Sequence, residues 1–587
     1  MTDYAAPLAD IRFQLSEIAD LAEIATLPDC EQATPDLVDA ILEEAAKLAG
    51  DVLAPLNRIG DEEGSTLENG VVRTPAGFKE AYRHYVEGGW NALPFAPEHG
   101  GQGLPLALAT AVLEMWNAAN MGFALCPLLN VGAVEALTAH GSPEQQRLYL
   151  PKLITGAWTG TMNLTEPQAG SDVGALRTKA ERAGDGSYRI TGQKIFITYG
   201  EHDLTDNIIH FVLARLPDAP AGTKGISLFL VPKFFVNADG ALSARNDVRA
   251  HSIEHKLGIH GSPTCTMVYG DRGGAVGYLV GEENRGLACM FTMMNLARLS
   301  VGLQGVGIAE TATQAALAYA RERRQGRAVG AREAASAIIA HPDVKRMLLT
   351  MRALTRAARL ICYATAGAID AEHAGDKAAG ERAALLTPVA KAFSTDAGVA
   401  VASLGVQVHG GMGYIEESGA AQHYRDARIA AIYEGTNGIQ AVDLVTRKIP
   451  LANGAVAAAY LDELRRKVKA VQAANDPAFG ATGARLAEAV ESLGRATQWL
   501  RGQLDARPEA ALAGATPYLR LFGQAAGGCL LAEEALAAVR LANGGAAGRI
   551  GIARFFAENL AVQAAGLERA VTEGADGVTA SDAALQS

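Results

Sequence analysis

A single glutamate, Glu434, stands at the end of an apolar run and directly before a turn in RIAAIYEGTNGIQ (428–440). Apolar neighbours raise the pKa of a carboxylate, because burial disfavours its charged form. A raised pKa suits a general base that works near neutral pH. Taken alone, one glutamate before a helix is more often a helix cap or a solvated charge. Asn437 and Gln440 in the same segment predict the cap of a new helix.

Two glycine-rich or polar clusters could contact a ligand. TMNLTEPQAGSDVG (161–174) places the hydroxyls of Thr165 and Ser171 on a loop broken by Pro167. Such a loop can offer hydroxyl and backbone N–H donors to a polar ring edge or a phosphate, although an ordinary turn is an equal alternative. QVHGGMGYIEESG (407–419) has glycines that allow close backbone approach. The chain shows no GxGxxG between a strand and a helix, so a Rossmann-type NAD site is not predicted.

The elements that must position these residues change along the chain. Residues up to about 155 are mostly helical, and Ser142 with Gln145 predicts a capping box that starts one helix. Pro151 is expected to end that helix. From about 158 to 282 the pattern changes to short strands, of which 208–216 and 225–232 are the most apolar.

Helical periodicity returns after Gly286. Val344, Met347, Leu348, Met351, Leu354 and Ile361 fall on one face, and Arg356 is predicted to lie off it. The resulting order predicts an α+β protein with four domains, namely an N-terminal helical domain (1–157), a central β domain (158–285), a helical-bundle domain (286–450) and extra C-terminal helices (451–587).

The bulk composition excludes several classes of protein. The 587 residues carry a formal net charge of −12, which disfavours nucleic acid as a partner. We find no secretory signal, and charges interrupt the apolar stretches, so no membrane span is predicted. The six cysteines are scattered without a CxxC pair. They predict reduced thiols in a cytoplasmic protein, with no metal site.

Four motifs together resemble the flavoprotein acyl-CoA dehydrogenase family. They are TEPQAGSD, KIFITYG (194–200), QVHGGMGY and IYEGTNGIQ, in this order and spacing, and the likeness covers roughly residues 80–450. The order of helices, β domain and helices agrees with the fold that this resemblance implies. It also implies FAD as cofactor, an acyl-CoA substrate and no separate metal.

The resemblance assigns roles to individual positions. Those expected against the flavin are Met162, Leu164, Thr165, Ser171, Phe196 and Thr198. Contacts to FAD from a neighbouring subunit are expected from Arg323, Gln407 and Gly411, and a phosphate or ribose contact from Thr436. The substrate is expected beside Ser171, Arg298 and Gly435, with Arg298 near the CoA moiety.

Glu434 matches the catalytic base of the family. Some relatives carry that base on an earlier helix, at the position of Ala297 here, so Glu434 has no rival at that site. The resemblance implies that Glu434 removes the α-proton of the thioester while the flavin accepts the β-hydride. It further implies an electron-transfer flavoprotein as acceptor and a homodimer that is often paired into a tetramer.

Departures from the family pattern concern CoA and adenine contacts. Asn295 stands where many relatives have Asp, Gly438 replaces a usual Gln, and the segment 323–327 lacks a usual Phe. Within the family, the sequence is most similar to members that dehydrogenate 3-methylmercaptopropionyl-CoA in dimethylsulfoniopropionate demethylation. The similarity rests on the length of the chain and on the segments EHKLGIHGSPTC (254–265) and GYLVGEENRGL (277–287).

Three alternatives stay open at this point. The first is a medium- or long-chain fatty acyl-CoA dehydrogenase. The others are an acyl-CoA oxidase and a redox-silent flavoprotein that binds DNA through its C-terminal helices. Met290, Met293 and Met294 could line an acyl pocket, although core packing is the commoner role of such residues.

Overall fold

The computed structural model describes residues 4–27, 30–542 and 544–586. The chain divides into two compact units. Unit 1 contains the described residues of 1–43, 105–118 and 298–587, and unit 2 contains residues 44–104 and 119–297. The division of the chain into four domains stays a prediction.

The N-terminal part is mainly helical, with one short hairpin that the sequence pattern did not predict. Its elements are α1 (Leu8–Glu17), α2 (Leu21–Ile24), α3 (Pro35–Lys47), α4 (Ala54–Glu63), β1 (Thr66–Glu68), β2 (Val71–Arg73), α5 (Phe78–Glu87), α6 (Leu106–His140) and α7 (Pro143–Ile154). The backbone of α6 leaves the helical conformation at Asn120.

Helix α7 begins as predicted. The Ser142 hydroxyl accepts from the Gln145 backbone N–H, and the Gln145 side chain accepts from the Ser142 N–H. The prediction that Pro151 ends the helix was wrong, because α7 continues to Ile154. The proline removes only the hydrogen bond that its own N–H would have donated, and the helix continues for three residues beyond it.

The central strands all belong to unit 2. They are β3 (Thr159–Asn163), β4 (Lys179–Arg182), β5 (Tyr188–Thr198), β6 (Ile208–Arg215), β7 (Ile226–Pro232), β8 (Phe234–Val236), β9 (Leu242–Arg245), β10 (Val248–Ile253), β11 (Thr264–Tyr269) and β12 (Ala275–Val280). Eight of these form one sheet in the order β10-β11-β5-β12-β7-β6-β3, with β4 paired to β5 and β6. The two most apolar strands, β6 and β7, are antiparallel neighbours and confirm the prediction.

The remaining chain is helical. Its helices are α8 (Gly286–Glu322), α9 (Pro342–His373), α10 (Lys377–His409), α11 (Ala420–Ala430), α12 (Asn437–Asp443), α13 (Ala455–Ala474), α14 (Thr482–Ala506), α15 (Pro508–Ala513), α16 (Ala515–Arg540), α17 (Ala546–Asn559), α18 (Ala564–Thr572), α19 (Ala575–Thr579) and α20 (Asp582–Leu585).

Helices of unit 1 approach one another closely at glycines. A Cβ at Gly305 of α8 would lie 2.2 Å from the Ser394 carbonyl oxygen of α10. A Cβ at Gly523 of α16 would lie 2.2 Å from the Phe393 ring of α10. The C-terminal helix α16 therefore packs directly against the helix that precedes the QVHGGMGY motif.

Two statements made from the sequence were wrong, namely that Arg356 lies off the buried face and that charges interrupt every long apolar stretch. Arg356 lies buried in α9, because Asp10 and Glu534 both pair with its guanidinium at 2.8 and 2.5 Å. Three helices, Leu106–His140, Gly286–Glu322 and Lys377–Tyr414, are long and apolar enough to cross a membrane, and most of each apolar stretch is buried within the protein.

The cysteines and methionines fill the interior. None of the six cysteines, all of which the structure describes, is in a disulfide, and every one except Cys30 is buried, as expected for small apolar residues. Met290 and Met293 belong to the core of unit 2, and Met294 packs against that core. These methionines therefore serve core packing, the commoner of the two roles considered for them.

Candidate active site

Glu434 lies in the turn between α11 and α12 of unit 1. Its backbone is left-handed with φ of 55°, and Gly435 follows with φ of 83°. A left-handed non-glycine residue costs roughly 1–2 kcal/mol, so the surrounding structure must hold it in place. The positive φ at position 435 favours glycine, and a Cβ there would also lie 2.7 Å from Nε2 of Gln440.

Helix α12 holds this turn from its first residues. Nε2 of Gln440 donates to the carbonyl oxygens of Glu434 at 3.4 Å and Gly435 at 3.3 Å. The Thr436 hydroxyl accepts from the backbone N–H of Ile439 at 3.2 Å and caps the helix. The prediction of Asn437 as part of the cap was therefore wrong by one residue. Thr436 has extended backbone angles, which let its hydroxyl reach the third N–H of the helix.

Burial and two cations set the acidity of Glu434. Burial raises the pKa of this carboxyl group, and the positive charges of Arg298 and Lys391 oppose that rise. Arg298 is 6% exposed, with Nη1 lying 3.8 Å from Oδ2 of Asp443. The structure thus brings the predicted base and the predicted CoA arginine together in unit 1.

The residue before the base is also fixed. The Tyr433 hydroxyl donates to Oε1 of Gln304 on α8. Ile432, one position earlier, is exposed. The apolar run that suggested a buried base is therefore only partly buried, and Glu434 itself is half-buried. A half-buried carboxylate combines a raised pKa with access to a substrate.

The hydroxyl-bearing loop that follows β3 belongs to unit 2. A buried ion pair holds it: Nζ of Lys194 lies 2.8 Å from Oε1 of Glu166, and the two side chains are 0% and 4% exposed. The same ammonium donates to the Leu164 carbonyl oxygen at 2.9 Å. The Ile195 N–H donates to the Thr165 carbonyl oxygen at 2.9 Å. The loop is therefore fastened to the strand that carries KIFITYG.

An exposed aromatic ring lies on that strand. Phe196 is 58% exposed, and its left-handed φ of 60° breaks the alternation of β5, so that Ile197 turns into the core. Thr198 and Thr165 are half-buried and Ser171 is exposed. A bare aromatic face near hydroxyl-bearing residues fits a planar ring with a polar edge, such as the isoalloxazine of FAD.

Two other predicted flavin contacts have different surroundings. The Met162 side chain is 7% exposed and belongs to the core of unit 2. Leu164 is half-buried and packs against the same core. Both residues belong to unit 2, as do the other four positions predicted to lie against the flavin.

The residues predicted to reach FAD from a neighbouring subunit lie together on the surface of unit 1. The Tyr319 and His409 rings stack at 4.5 Å, which joins the C-terminal end of α8 to that of α10. Arg323 follows Tyr319 by one turn, and Gln407 and Gly411 flank His409; all three are exposed. Exposure of this kind fits a contact with another chain.

Sequence reasoning missed several residues that support the site. Lys391 donates from Nζ to Oδ1 of Asn437 at 2.8 Å, beneath the turn that carries Glu434. The Lys194–Glu166 pair was also missed. Both lysines stand alone inside apolar runs, LLTPVAKAFST and GQKIFITYG, and that isolation was a signal of burial with a partner.

Comparisons with known proteins cover most of the chain. Family models match it at the N-terminal domain of acyl-CoA dehydrogenase (38–157), its middle domain (161–271), its C-terminal domain (284–449) and an acetyl-CoA dehydrogenase C-terminal-like domain (460–582).

Two relatives and one solved structure illustrate the likeness. A 3-methylmercaptopropionyl-CoA dehydrogenase of Ruegeria pomeroyi is 47% identical over 583 residues, covering 98% of each chain. A butyryl-CoA dehydrogenase of Syntrophomonas wolfei is 35% identical over 584 residues, covering 95% of each. The crystal structure of an acyl-CoA dehydrogenase complexed with FAD from Bacillus anthracis shares the fold, with a TM-score of 0.72 and 21% identity over 96% of this chain and 93% of that one.

Proposed function

This chain belongs to the acyl-CoA dehydrogenase family and is therefore an FAD-dependent oxidoreductase acting on acyl-CoA, and we propose that Glu434 is its catalytic base. The single observation that carries the proposal is the position of Glu434, a half-buried carboxylate held in a left-handed turn whose burial raises its pKa. The earlier position that serves some relatives holds Ala297 and has no carboxylate to offer.

The carboxylate of Glu434 takes the α-proton of the thioester, the β-hydrogen leaves with its electron pair, and a double bond forms between the two carbons. When bound, FAD supplies the acceptor for that hydride. The backbone N–H of Glu434 is aimed by the left-handed turn and stabilises the charge that develops on the thioester oxygen. Gln440 keeps both groups in place by fixing the two carbonyl oxygens of the turn.

The remaining site residues are proposed from their surroundings. Thr165, Ser171, Phe196 and Thr198, with backbone atoms of Met162 and Leu164, hold the isoalloxazine ring. Arg323, Gln407 and Gly411 reach the FAD of a second copy, and Thr436 contacts a phosphate or ribose. Ser171, Arg298 and Gly435 lie beside the substrate; the buried Arg298 acts there mainly through its charge.

The proposed substrate is 3-methylmercaptopropionyl-CoA, in dimethylsulfoniopropionate demethylation. The relative of that name at 47% identity supports this choice, because it is matched from end to end. A straight-chain acyl-CoA is the second candidate, supported by the butyryl-CoA dehydrogenase at 35% identity. We further propose a cytoplasmic homodimer or tetramer that passes electrons to an electron-transfer flavoprotein.

The alternative function, a DNA-binding flavoprotein, has weaker support from the charges of the C-terminal helices. Three basic residues of the C-terminal helices are paired with carboxylates: Arg465 with Glu491, Lys467 with Glu533, and Arg495 with Glu568. Paired charges of this kind are partly neutralised and attract a phosphate backbone less strongly.

The proposal is tested by anaerobic stopped-flow bleaching of the FAD-loaded enzyme with 3-methylmercaptopropionyl-, butyryl-, octanoyl- and palmitoyl-CoA. Glu434→Gln should slow bleaching by at least about 10²-fold, since it cannot accept a proton. Glu417→Gln, at an exposed glutamate before α11, is the matched control and should bleach at the wild-type rate.

Each outcome bears on a different part of the proposal. Fastest bleaching with 3-methylmercaptopropionyl-CoA supports the substrate, and preference for a straight chain replaces it with the second candidate. Wild-type bleaching by Glu434→Gln removes Glu434 as the base. Peroxide formed during aerobic turnover would show an oxidase, and a loaded flavin that no acyl-CoA bleaches would leave the redox-silent reading.

A further inference from the structure

Lys391 is a fully buried cation in the middle of α10. It is 0% exposed and lies within the apolar run PVAKAFST. A buried ammonium is costly unless a polar partner compensates the lost hydration. Its Nζ donates to Oδ1 of Asn437 at 2.8 Å, so the partner is a neutral amide. The positive charge is therefore solvated by a dipole and is not cancelled by that bond.

Asn437 connects the lysine to the turn that carries Glu434. It is the first residue of α12 and stands three positions after the base. Its Nδ2 donates to Oδ1 of Asp396 at 2.7 Å and lies 3.0 Å from the Thr395 hydroxyl. The Asn437 side chain thus ties the start of α12 to Lys391, Thr395 and Asp396, which lie within two turns of α10.

Two cations act on Glu434 directly, Arg298 and Lys391, and further charged groups surround those two. Helix α8 contributes Arg298, α10 contributes Lys391 and Asp396, α12 contributes Asp443, and the segment Leu444–Lys448 contributes Arg447 and Lys448. Asp443 lies 3.8 Å from Arg298 and 2.8 Å from Arg447, so a carboxylate already offsets the first of the two cations that act on Glu434. Lys391 is the second, and its bonded partner is uncharged.

We propose that Lys391, working through Asn437, is a positioning residue that orients the Glu434 turn and stabilises the ionised carboxylate of the base. The proposal rests on Glu434 being the base. Burial lowers the pKa of Lys391 to about 8, while Glu434 and Asp396 oppose that fall, so the side chain is charged at neutral pH. A cation near a carboxylate lowers its pKa, which keeps the base ready to accept a proton.

The test is the pH dependence of bleaching by the FAD-loaded enzyme at limiting and at saturating acyl-CoA. Lys391→Met removes the charge at similar length, and Lys391→Arg keeps it. The acid limb of the Lys391→Met profile should move up by roughly one pH unit, because the base is then protonated at higher pH. Lys391→Arg should restore most of the wild-type limb, and KM should change less than the bleaching rate.

Asn437→Ala provides a second variant in case Lys391→Met does not fold. It keeps the cation and removes the amide link, so the bleaching rate should fall at all pH values while the acid limb moves less. Lys345→Met, at an exposed lysine of α9, is the control and should leave the profile unchanged.

The outcomes distinguish a failure of the positioning role of Lys391 from a failure of Glu434 as the proposed base. If Glu434→Gln abolishes bleaching but neither the Lys391 variants nor Asn437→Ala changes rate or profile, the positioning role is overturned and the base stands. If Glu434→Gln bleaches normally, the proposed base is wrong. If Lys391→Met adds its full effect on top of Glu434→Gln, the lysine acts independently of the base and the inference is likewise overturned.

Discussion

Units 1 and 2 each contain a lysine with no exposed surface, and the hydrogen-bond partners of the two lysines differ in charge. Lys194 in unit 2 lies 2.8 Å from the Glu166 carboxylate, and Lys391 in unit 1 donates to the Asn437 amide over the same distance. Burial lowers the pKa of each lysine to about 8. The charge of Lys194 is neutralised by its bonded partner Glu166, whereas the charge of Lys391 acts on the nearby carboxylate of Glu434.

The difference separates a structural charge from a functional one. Glu166 also accepts from the N–H groups of Arg177 and Thr178 and from the Thr178 hydroxyl, so both carboxylate oxygens help to shape the loop. Burial alone would raise the pKa of Glu166, but the Lys194 charge and these hydrogen bonds lower it to about 2. Around Lys391 no comparable set of carboxylate contacts occurs among the described residues.

Breaking the unit 2 pair should have the largest effect on stability. Lys194→Met leaves the Glu166 carboxylate buried without its cation, which typically costs about 3–5 kcal/mol. Urea unfolding should show this loss, together with weaker FAD retention. The double variant Lys194→Met with Glu166→Gln should recover part of it, and an unchanged midpoint for Lys194→Met would contradict the structural role.

The acid dependence of stability should be the next largest effect. Glu166 has a folded-state pKa of about 2 against an ordinary value of 4.5, so its contribution is fully present above pH 4.5 and is lost as pH falls toward 2. The folded state then binds fewer protons than the unfolded state, and stability falls by up to about 1.4 kcal/mol per pH unit in that window. Glu166→Gln should flatten this part of the curve of unfolding free energy against pH; an equal slope in both proteins would assign the acid sensitivity elsewhere.

Lys391→Met should cost less stability than Lys194→Met. It removes one hydrogen bond to a neutral amide, and the Asn437 oxygen keeps only the longer contact with the Thr395 hydroxyl at 3.2 Å, so we expect a loss of about 1–3 kcal/mol. The same urea series measures it. A loss as large as that of Lys194→Met would mean that the two lysines do the same structural work.

An exposed ion pair should have the smallest effect. Arg465 and Glu491 of the C-terminal helices lie 2.8 Å apart, but their side chains are 38% and 50% exposed. Arg465→Met should change the unfolding free energy by less than about 1 kcal/mol, because water and salt screen such pairs. A larger change would contradict the expectation that water and salt screen this pair.

Local sequence patterns predicted those elements whose causes are local. The apolar runs at β6 and β7 and the capping box of α7 depend on neighbouring residues, and all three appear as predicted. Arg356 shows where such patterns fail. The helical period placed it off the apolar face, but Asp10 and Glu534, far away in sequence, turn that position into a buried one.

In the candidate site, too, features with local causes could be predicted and features that depend on distant residues could not. An apolar run before a turn was enough to single out Glu434, and motif resemblance supplied the positions around it. Neither could show that Lys391 lies beneath Asn437, because that contact joins two helices 46 residues apart. The left-handed backbone at Phe196 was equally hidden, since a β-strand pattern gives no sign of a single reversed φ.

The chain ends meet inside unit 1, and this bears on the order in which the protein is made. Asp10 pairs with Arg549 at 3.0 Å, and Gln14 donates to Glu534 at 2.9 Å. Asp10 and Gln14 leave the ribosome long before Glu534 and Arg549. Unit 2, in contrast, is complete once residue 297 has emerged. Since domains fold as units during synthesis, unit 2 can reach its native structure on the ribosome while unit 1 must wait for the C-terminal helices. The helix that begins at Leu8 therefore spends most of translation without its final partners, and a chain truncated before Glu534 should hold an assembled sheet beside an unfinished bundle.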